Sequence, residues 1–260
     1  MELLTVVKVG GGILEDTELL STFLEKFSML DGHRILVHGG GVSVTELASR
    51  LGISTRMVEG RRVTDSEMLR VVTMVCGGLL NKELVVRLQS VGVNAVGLTG
   101  ADMNLLLSVR RVAGLVDYGL VGDIRTVNVN ALIDLLDRGY VPVLAPLSHD
   151  GAGQLLNTNA DSVASLASCA LALDYRVRLV YCFERSGVMA GGDAGGEVIP
   201  ELDRETYIRL RDRGLIFGGM IPKLEGAFRA LSSGVTEVVV TSAFCLGGGG
   251  GTALTLNRGR

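Results

Sequence analysis

The sequence predicts an α/β protein, a three-layer α/β/α sandwich around a mostly parallel open sheet with two lobes. Apolar, β-branched segments such as Leu3–Val9 alternate along the chain with segments whose apolar residues recur at helical spacing. Many of the 36 glycines stand in short clusters at the ends of apolar runs, where they join strand to helix. Strands that alternate with helices across short loops form parallel sheets covered on both faces.

The first two units of the chain share one order: strand, glycine turn, helix. In the first unit, Gly10–Gly12 follows the strand, and apolar residues recur at helical spacing over Leu14–Leu30. In the second unit, Gly39–Gly41 follows a short apolar strand, and Ser43 with Glu46 resembles a capping box that opens the next helix.

The middle of the chain departs from this alternation. Thr55–Thr64 reads as a small hairpin around Glu59-Gly60, and the β-like pieces of Leu105–Asn128 predict an antiparallel excursion. Between them, Asp65–Ser90 reads as one long helix with Gly77-Gly78 in its interior. Each glycine weakens a helix by about 1 kcal/mol relative to alanine. We therefore expect the pair to pack closely against another helix, in this chain or in a second copy.

Alternation resumes after this excursion. The remaining predicted elements are helices near Ala131–Arg138, Ser162–Leu173, Arg204–Arg213 and Lys223–Leu231, strands near Val141–Ala145, Val177–Cys182 and Glu237–Thr241, and a closing apolar run Ala253–Leu256. We expect an N-terminal lobe of residues 1–172 and a C-terminal lobe of residues 173–260.

Charge and composition exclude several classes of function. A net charge of −3 gives no electrostatic basis for binding nucleic acid or an anionic membrane. No run approaches the roughly 18 apolar residues that span a bilayer, and the N-terminus lacks the order of a signal peptide. The four cysteines are scattered without a C-x-x-C pair, and the three histidines lack the spacing of a zinc site. We expect a cytoplasmic protein with reduced thiols and no bound metal of its own.

Three charged residues fall where parallel sheets bind ligands, at the carboxyl ends of strands. Lys8 ends an apolar strand, where its charge is costly unless the ammonium reaches solvent or an anion. Lys223 follows Pro222, which suits the first position of a helix, so its cation opposes the helix dipole unless an anion binds there. Asp161 precedes an apolar helix. It could cap that helix, which would stabilise the fold by about 1 kcal/mol, or its carboxylate could hold cationic side chains in place at the strand ends.

The common nucleotide-binding motifs are missing. The chain contains no G-x-x-x-x-G-K-[ST], and the turn Gly39–Val44 lacks the third glycine of G-x-G-x-x-G. Glycine turns at strand ends can still bind anions through backbone N–H groups. The residues alone thus indicate an α/β enzyme that handles an anion.

Five segments resemble, in order along nearly the whole chain, motifs of the amino-acid kinase family and of its branch that acts on N-acetylglutamate. They are Val7–Gly11, His38–Gly41, Gly60–Thr64, Asn157–Asp161 and Gly218–Lys223. The resemblance implies phosphorylation of the γ-carboxylate of N-acetyl-L-glutamate by ATP, a reaction of arginine biosynthesis, with Mg²⁺ carried on the nucleotide phosphates. A γ-carboxylate, with a pKa near ~4.3, is already ionised at neutral pH, so the nucleophile needs no general base.

The resemblance also implies roles for individual residues. Lys8 and Lys223 would stabilise charge on the transferring phosphoryl group, and Asp161 would accept hydrogen bonds from both. The substrate-binding residues would be Gly40 and Gly41 at the γ-carboxylate, Arg62 at the α-carboxylate, and Asn157. The ATP-binding residues would be Gly10, Gly11, Ser186, Gly187 and Gly219.

Two other functions stay open at this point, and one segment departs from the family pattern. The acyl group could be N-succinyl instead of N-acetyl, or the protein could bind nucleotide without catalysis. Cys182–Gly187 replaces a segment that contains aspartate in many members of the family. In the family that the chain resembles, members inhibited by arginine carry an extra N-terminal helix that builds a hexamer. The first strand here begins almost at Met1, so the resemblance implies a homodimer that is insensitive to arginine.

Overall fold

The computed structural model describes residues 1–58, 60–190 and 196–256, and within them fourteen strands and nine α-helices. The strands are β1 Leu3–Val9, β2 His33–His38, β3 Met57–Val58, β4 Arg61–Arg62, β5 Ala95–Leu98, β6 Leu106–Arg110, β7 Gly122–Val127, β8 Val141–Leu144, β9 Leu147–His149, β10 Leu155–Asn157, β11 Arg176–Phe183, β12 Glu201–Asp203, β13 Glu237–Ser242 and β14 Thr252–Thr255. The helices are α1 Gly11–Glu15, α2 Thr17–Ser28, α3 Gly41–Arg50, α4 Ser66–Val72, α5 Asn81–Ser90, α6 Val129–Asp137, α7 Ala160–Leu171, α8 Arg204–Asp212 and α9 Met220–Ser232.

A large sheet of eight strands runs through the described chain in the order β12-β14-β13-β11-β1-β2-β8-β5. The strands from β13 to β5 are parallel, whereas β14 is antiparallel to β13 and pairs in parallel with β12. Strand β1 lies between β2 and β11. The strands of this sheet that follow β1 in the chain are therefore added on one side of it up to β8 and on the other side from β11 onwards, so the strand order reverses at β1. A switch of this kind opens a ligand-binding crevice at the carboxyl ends of the strands.

Alternate side chains of β1 enter the two helical layers. Leu4 and Val6 belong to the apolar core shared with α7 and α9, whereas Val7 and Val9 belong to the core shared with α2 and α5. Burying each such side chain contributes roughly 1.5–3 kcal/mol. The three-layer architecture predicted from the sequence is therefore confirmed. Because successive residues of a strand face opposite sides, Lys8 extends into the layer of α7 and α9.

The antiparallel excursion and the hairpin are also confirmed. Strands β6 and β7 are antiparallel and form a second sheet in the order β10-β9-β6-β7, and β3 pairs with β4. Glu59, at the turn of the predicted hairpin, lies outside the described residues.

The predicted long helix is one continuous helical segment with a changed winding. Between α4 and α5, Thr73–Leu80 forms a π-helix. A Cβ added to Gly77 would lie 3.0 Å from Leu147 Cδ1. Its close neighbour is therefore strand β9, and the expectation of a helix at that position in this chain was wrong. A Cβ on Gly78 would meet no atom within 4 Å.

Three of the predicted helix starts were wrong by a few residues. Helix α3 begins at Gly41, because Val44 N–H already donates to Gly40 O at 2.9 Å, so Ser43 lies inside the helix and caps nothing. Asn159, rather than Asp161, caps α7 by accepting from Ser162 N–H at 3.1 Å. Helix α9 begins at Met220, which makes Pro222 its third residue and Lys223 its fourth.

The two predicted lobes share the large sheet. Strand β1 of residues 1–172 pairs with β11 of residues 173–260 along its whole length, from Leu3 beside Arg176 to Val9 beside Cys182. No helix in the part of the chain that the structure describes is long and apolar enough to cross a membrane.

Candidate active site

Two adjoining cavities open at the carboxyl ends of the parallel strands. The larger, of about 750 Å³, is lined by Lys8, the glycine turn before α3, the hairpin and the first turn of α7. The smaller, of about 360 Å³, lies beside β11 and the start of α9. Lys223 lines both, so its ammonium marks the junction between them.

The larger cavity contains a close ion pair. Lys8 Nζ lies 3.0 Å from Asp161 Oδ1, and the two side chains are only 9% and 18% exposed. Strand β1 supplies the lysine, and the first turn of α7 supplies the carboxylate. The two residues are 153 positions apart in sequence, and the sheet's connectivity brings them together.

Lys223 completes a cluster of two cations around one aromatic ring. Its Nζ lies 4.4 Å from the centre of the Phe183 ring, and Lys8 Nζ lies 4.9 Å from the same centre. Ring faces attract cations, so Phe183 helps to hold two like charges near each other. The sequence analysis missed this residue, although it lies in the segment Cys182–Gly187 that departs from the family pattern.

The environment of Lys223 lowers the pKa of its ammonium. Burial is the main cause, and the positive charge of Lys8 acts in the same direction, whereas Asp161 and Glu184 oppose the shift. An anion bound at the junction of the cavities would restore the charged form.

We expect the alkaline limb of kcat/KM for the anionic substrate to fall at a pH below the ordinary lysine value. As pH rises, the ammonium of Lys223 loses its proton and no longer attracts the anion. Because the pKa of Lys223 is lowered, this deprotonation occurs at a lower pH than for an ordinary lysine. Lys223→Arg should move the limb to higher pH, because a guanidinium stays charged. The exposed Lys26→Arg serves as the matched control. An identical alkaline limb in wild type and Lys223→Arg would contradict the assignment.

The turn before α3 lines the larger cavity with backbone. A Cβ on Gly40 would lie 2.7 Å from Leu80 Cδ1 and 2.8 Å from Cys76 Sγ, so a larger residue would force these side chains of the π-helix to move. Gly41 is the first residue of α3, where backbone N–H groups have no partner within the helix. Both glycines therefore lie where donors can bind an anion.

Arg62 joins the hairpin to this turn. Its Nη2 donates to Gly41 O at 2.7 Å and to Thr45 Oγ1 at 2.8 Å, and its Nη1 donates to Thr55 Oγ1 at 3.2 Å. The residue is 9% exposed, and burial lowers the pKa of its guanidinium. A cation held this way lies beside the glycine donors, in the same cavity.

Asn157, the last residue of β10, lines the larger cavity. Its Nδ2 donates to Thr64 Oγ1 at 2.9 Å, which ties β10 to the segment that follows the hairpin. The structure therefore brings Gly40, Gly41, Arg62 and Asn157 into one cavity with Lys8 and Asp161.

The residues predicted to bind nucleotide are more dispersed. Gly187 and Gly219 line the smaller cavity, and Gly11 lines the larger one. The Gly10 N–H donates to Cys182 O at 2.8 Å, so that donor is used within the fold. Ser186 is exposed and is not among the residues that line either cavity.

A second ion pair in the larger cavity escaped the sequence analysis. Arg111 donates to Asp123, which lowers the pKa of that carboxyl, and both side chains line the cavity. The alternation of side chains along antiparallel strands could have predicted that Arg111 and Asp123 share one face of the sheet, but not that this face borders the cavity.

Among the described residues, no group of three or more His, Cys, Asp or Glu side chains could hold a metal ion.

The fold and the cavities define an α/β enzyme that handles an anion at a switch point of its sheet with two lysines and an aspartate. The chain belongs to the amino acid kinase family, whose model matches residues 4–242.

Known relatives cover nearly the whole chain. The acetylglutamate kinase of Parabacteroides distasonis is 52% identical over 252 residues, which are 97% of this chain and 99% of that protein. The acetylglutamate kinase of Methanopyrus kandleri is 41% identical over 95% of this chain and 98% of its own length. Among solved structures, smu.665 from Streptococcus mutans UA159 superposes with a TM-score of 0.80 at 26% identity, covering 98% of this chain and 99% of that one.

Proposed function

We propose that the protein transfers the γ-phosphate of ATP to the γ-carboxylate of N-acetyl-L-glutamate, giving N-acetyl-L-glutamyl 5-phosphate for arginine biosynthesis. The observation that carries the proposal is the position of Lys223, which lines two adjoining cavities, beside the Lys8–Asp161 pair. Two substrates in adjoining cavities would exchange a group at that junction. The relatives named acetylglutamate kinase support the choice of acceptor.

The reaction needs charge stabilisation more than proton transfer. An oxygen of the ionised γ-carboxylate attacks the γ-phosphorus, the bond to the bridging oxygen of ATP breaks, and ADP leaves with that electron pair. Two anions repel each other, and positioned cations reduce this repulsion most in the transition state. Lys8 and Lys223 supply the cations, and Asp161 positions Lys8 at 3.0 Å.

The larger cavity would hold the acylated amino acid. Arg62 would bind the α-carboxylate, the N–H groups of Gly40 and Gly41 would bind the γ-carboxylate, and Asn157 would complete the site. Arg62 and Gly41 are already joined by a hydrogen bond, so the two carboxylate sites have a fixed separation.

Arg62→Ala should raise KM for N-acetyl-L-glutamate by roughly 10–100-fold, because a hydrogen bond to a charged group is worth about 1.5–3 kcal/mol. KM for ATP should stay unchanged and kcat should fall less, since the α-carboxylate is remote from the reacting oxygen. Arg50→Ala, on the exposed end of α3, is the matched control. Steady-state kinetics with each substrate varied separately provide the measurement. An equal rise in both KM values would contradict this role.

The smaller cavity would hold the nucleotide, with Gly187 and Gly219 in its wall and Gly11 near the phosphates. We assign Mg²⁺ to the triphosphate, where it would neutralise charge between the β- and γ-phosphates. Residues 173–260 would form the lobe for ATP, and residues 1–172 the lobe for the acylated amino acid and for dimerisation.

A homodimer is part of the proposal. On the π-helix, Met74 and Leu79 are 51% and 56% exposed, and Gly78 leaves room for close approach of a second backbone. These residues would cross the same segment of a partner about a twofold axis. Light scattering should give twice the mass of the chain for the wild type, and Leu79→Arg should lower the measured mass towards that of one chain.

The four free cysteines support a reducing, cytoplasmic location.

The function is tested by ADP release from purified protein with Mg-ATP and N-acetyl-L-glutamate, N-succinyl-L-glutamate or free L-glutamate. The proposal expects turnover on the N-acetyl substrate. Turnover on the N-succinyl substrate alone would retain the reaction and replace the acyl group. No turnover on any of them, from folded protein that still binds ATP, would favour a non-catalytic nucleotide-binding protein.

A further inference from the structure

A buried histidine bonds to the peptide unit that carries the Gly40 N–H. His38, the last residue of β2, is fully buried, and its Nδ1 lies 2.7 Å from Gly39 O. The carbonyl of Gly39 and the N–H of Gly40 belong to one planar peptide, and the described chain contains no cis peptide. In a trans peptide these two groups point in opposite directions. Holding the carbonyl towards His38 therefore turns the Gly40 N–H away from it.

The hydrogen bonds fix the tautomer of this histidine. Gly39 O can only accept, so His38 Nδ1 carries the proton. Asn81 Nδ2 lies 3.2 Å from His38 Nε2 and donates to Val143 O at 2.9 Å, and Asn81 Oδ1 accepts from Lys82 Nζ at 3.1 Å. With its oxygen taken by the lysine, Asn81 presents N–H to Nε2, which accepts. Burial lowers the pKa of His38 to about 4, so the ring stays neutral at physiological pH.

The other side of the glycine turn is fixed by packing. Gly40 lies so close to Leu80 and Cys76 that a Cβ would clash with both side chains. Lys82, which donates to Asn81 Oδ1, also donates to Gly97 O at 3.0 Å, so the amide that faces His38 is itself held by β5. The peptide between Gly39 and Gly40 is therefore held by a hydrogen bond on one side and by side chains on the other.

We propose that His38, oriented by Asn81, is a positioning residue that aims the Gly40 N–H at the reacting carboxylate. The inference rests on the proposed function, because it assigns that N–H to the acceptor carboxylate. His38 itself is fully buried and lines neither cavity, so it would act on the substrates only through the Gly39–Gly40 peptide. A donor aimed before the substrate binds needs no reorganisation as charge develops, and this is the condition under which such donors accelerate reactions.

Two variants, each of which reproduces the position of one ring nitrogen, separate aiming from packing. In His38→Asn the side-chain amide nitrogen takes the position of Nδ1 and still donates to Gly39 O. In His38→Gln the amide takes the position of Nε2, which keeps the partner of Asn81 and loses the donor to Gly39. We expect kcat to fall by about 10–100-fold in His38→Gln and by less than about 5-fold in His38→Asn, with KM for ATP unchanged in both.

Thermal unfolding of both variants accompanies the kinetics. A purely structural role would make kcat follow the loss of melting temperature, with Asn and Gln equally harmful, and this result would overturn the proposal. Equal kcat in His38→Gln and wild type would also overturn it.

A measurement on the unmodified protein needs no variant to fold. The backbone ¹⁵N–¹H resonance of Gly40 should move downfield on binding of N-acetyl-L-glutamate, as expected for a new hydrogen bond to a carboxylate. Binding that leaves this resonance in place would overturn the proposal. If wild type shows neither binding nor turnover with any acylated glutamate, the proposed function itself fails, which is a distinct result.

Discussion

Lys8→Met should lower turnover on N-acetyl-L-glutamate by about 10²–10³-fold, the loss typical of removing one preorganised donor at a developing charge. Lys8 lines the larger cavity and shares the Phe183 ring with Lys223, and its Nζ lies 3.0 Å from Asp161 Oδ1. Methionine keeps the length of the apolar stem in β1 and removes only the charge. Lys223 alone would then face the triphosphate.

The decisive comparison is with Lys26→Met, which removes an exposed lysine from the last turn of α2. Initial rates at saturating ATP and acceptor give kcat, and melting temperatures show whether each variant is folded. The loss should be in kcat for Lys8→Met and negligible for Lys26→Met. A folded Lys8→Met variant with kcat within about 5-fold of wild type would exclude Lys8 from the machinery.

The sequence predicted the central strands well, because a buried parallel strand is a continuous apolar run. The predicted Leu3–Val9 matches β1 at both ends. Strands β5, β9, β10 and β12 were not predicted. Each has only three or four residues. Such short segments become strands only through their pairing partners: β5 pairs with β8, β12 pairs with β14, and β9 pairs with β10.

The π-helix shows a second limit. Apolar periodicity predicts that Asp65–Ser90 is helical, but the change of winding at Thr73–Leu80 depends on packing. Gly77 lies against Leu147, and Gly40 lies against the side chains of Cys76 and Leu80. These contacts join segments that are far apart in the chain, so local propensity contains no sign of them.

The site was predicted unevenly for the same reason. The rule that strand ends converge is enough to place Lys8 beside the glycine turns. Asp161 was expected to cap its helix, yet Asn159 caps it, which leaves the carboxylate free to meet Lys8. Phe183 and the His38–Asn81 pair act through buried contacts that only the folded chain creates.

Asp161→Asn should lower turnover by about 10²-fold and also destabilise the protein. The substitution keeps the shape of the side chain and removes the counter-charge of Lys8, which is 9% exposed. Breaking a buried pair by removing one partner costs about 3–5 kcal/mol. Asp161 also opposes the lowering of the Lys223 pKa, so its loss should favour neutral lysine at the junction of the cavities.

A bound nucleotide would restore part of the missing negative charge. We therefore expect Mg-ATP to raise the melting temperature of Asp161→Asn by more than it raises that of wild type, because binding relieves the repulsion between Lys8 and Lys223. Asp134→Asn, on an exposed position of α6, should show the wild-type shift and wild-type turnover. Differential scanning fluorimetry over a series of ATP concentrations measures the shift. An equal or smaller shift in Asp161→Asn would mean that Asp161 does not balance the two lysines, and the variant's lower turnover would then need another cause.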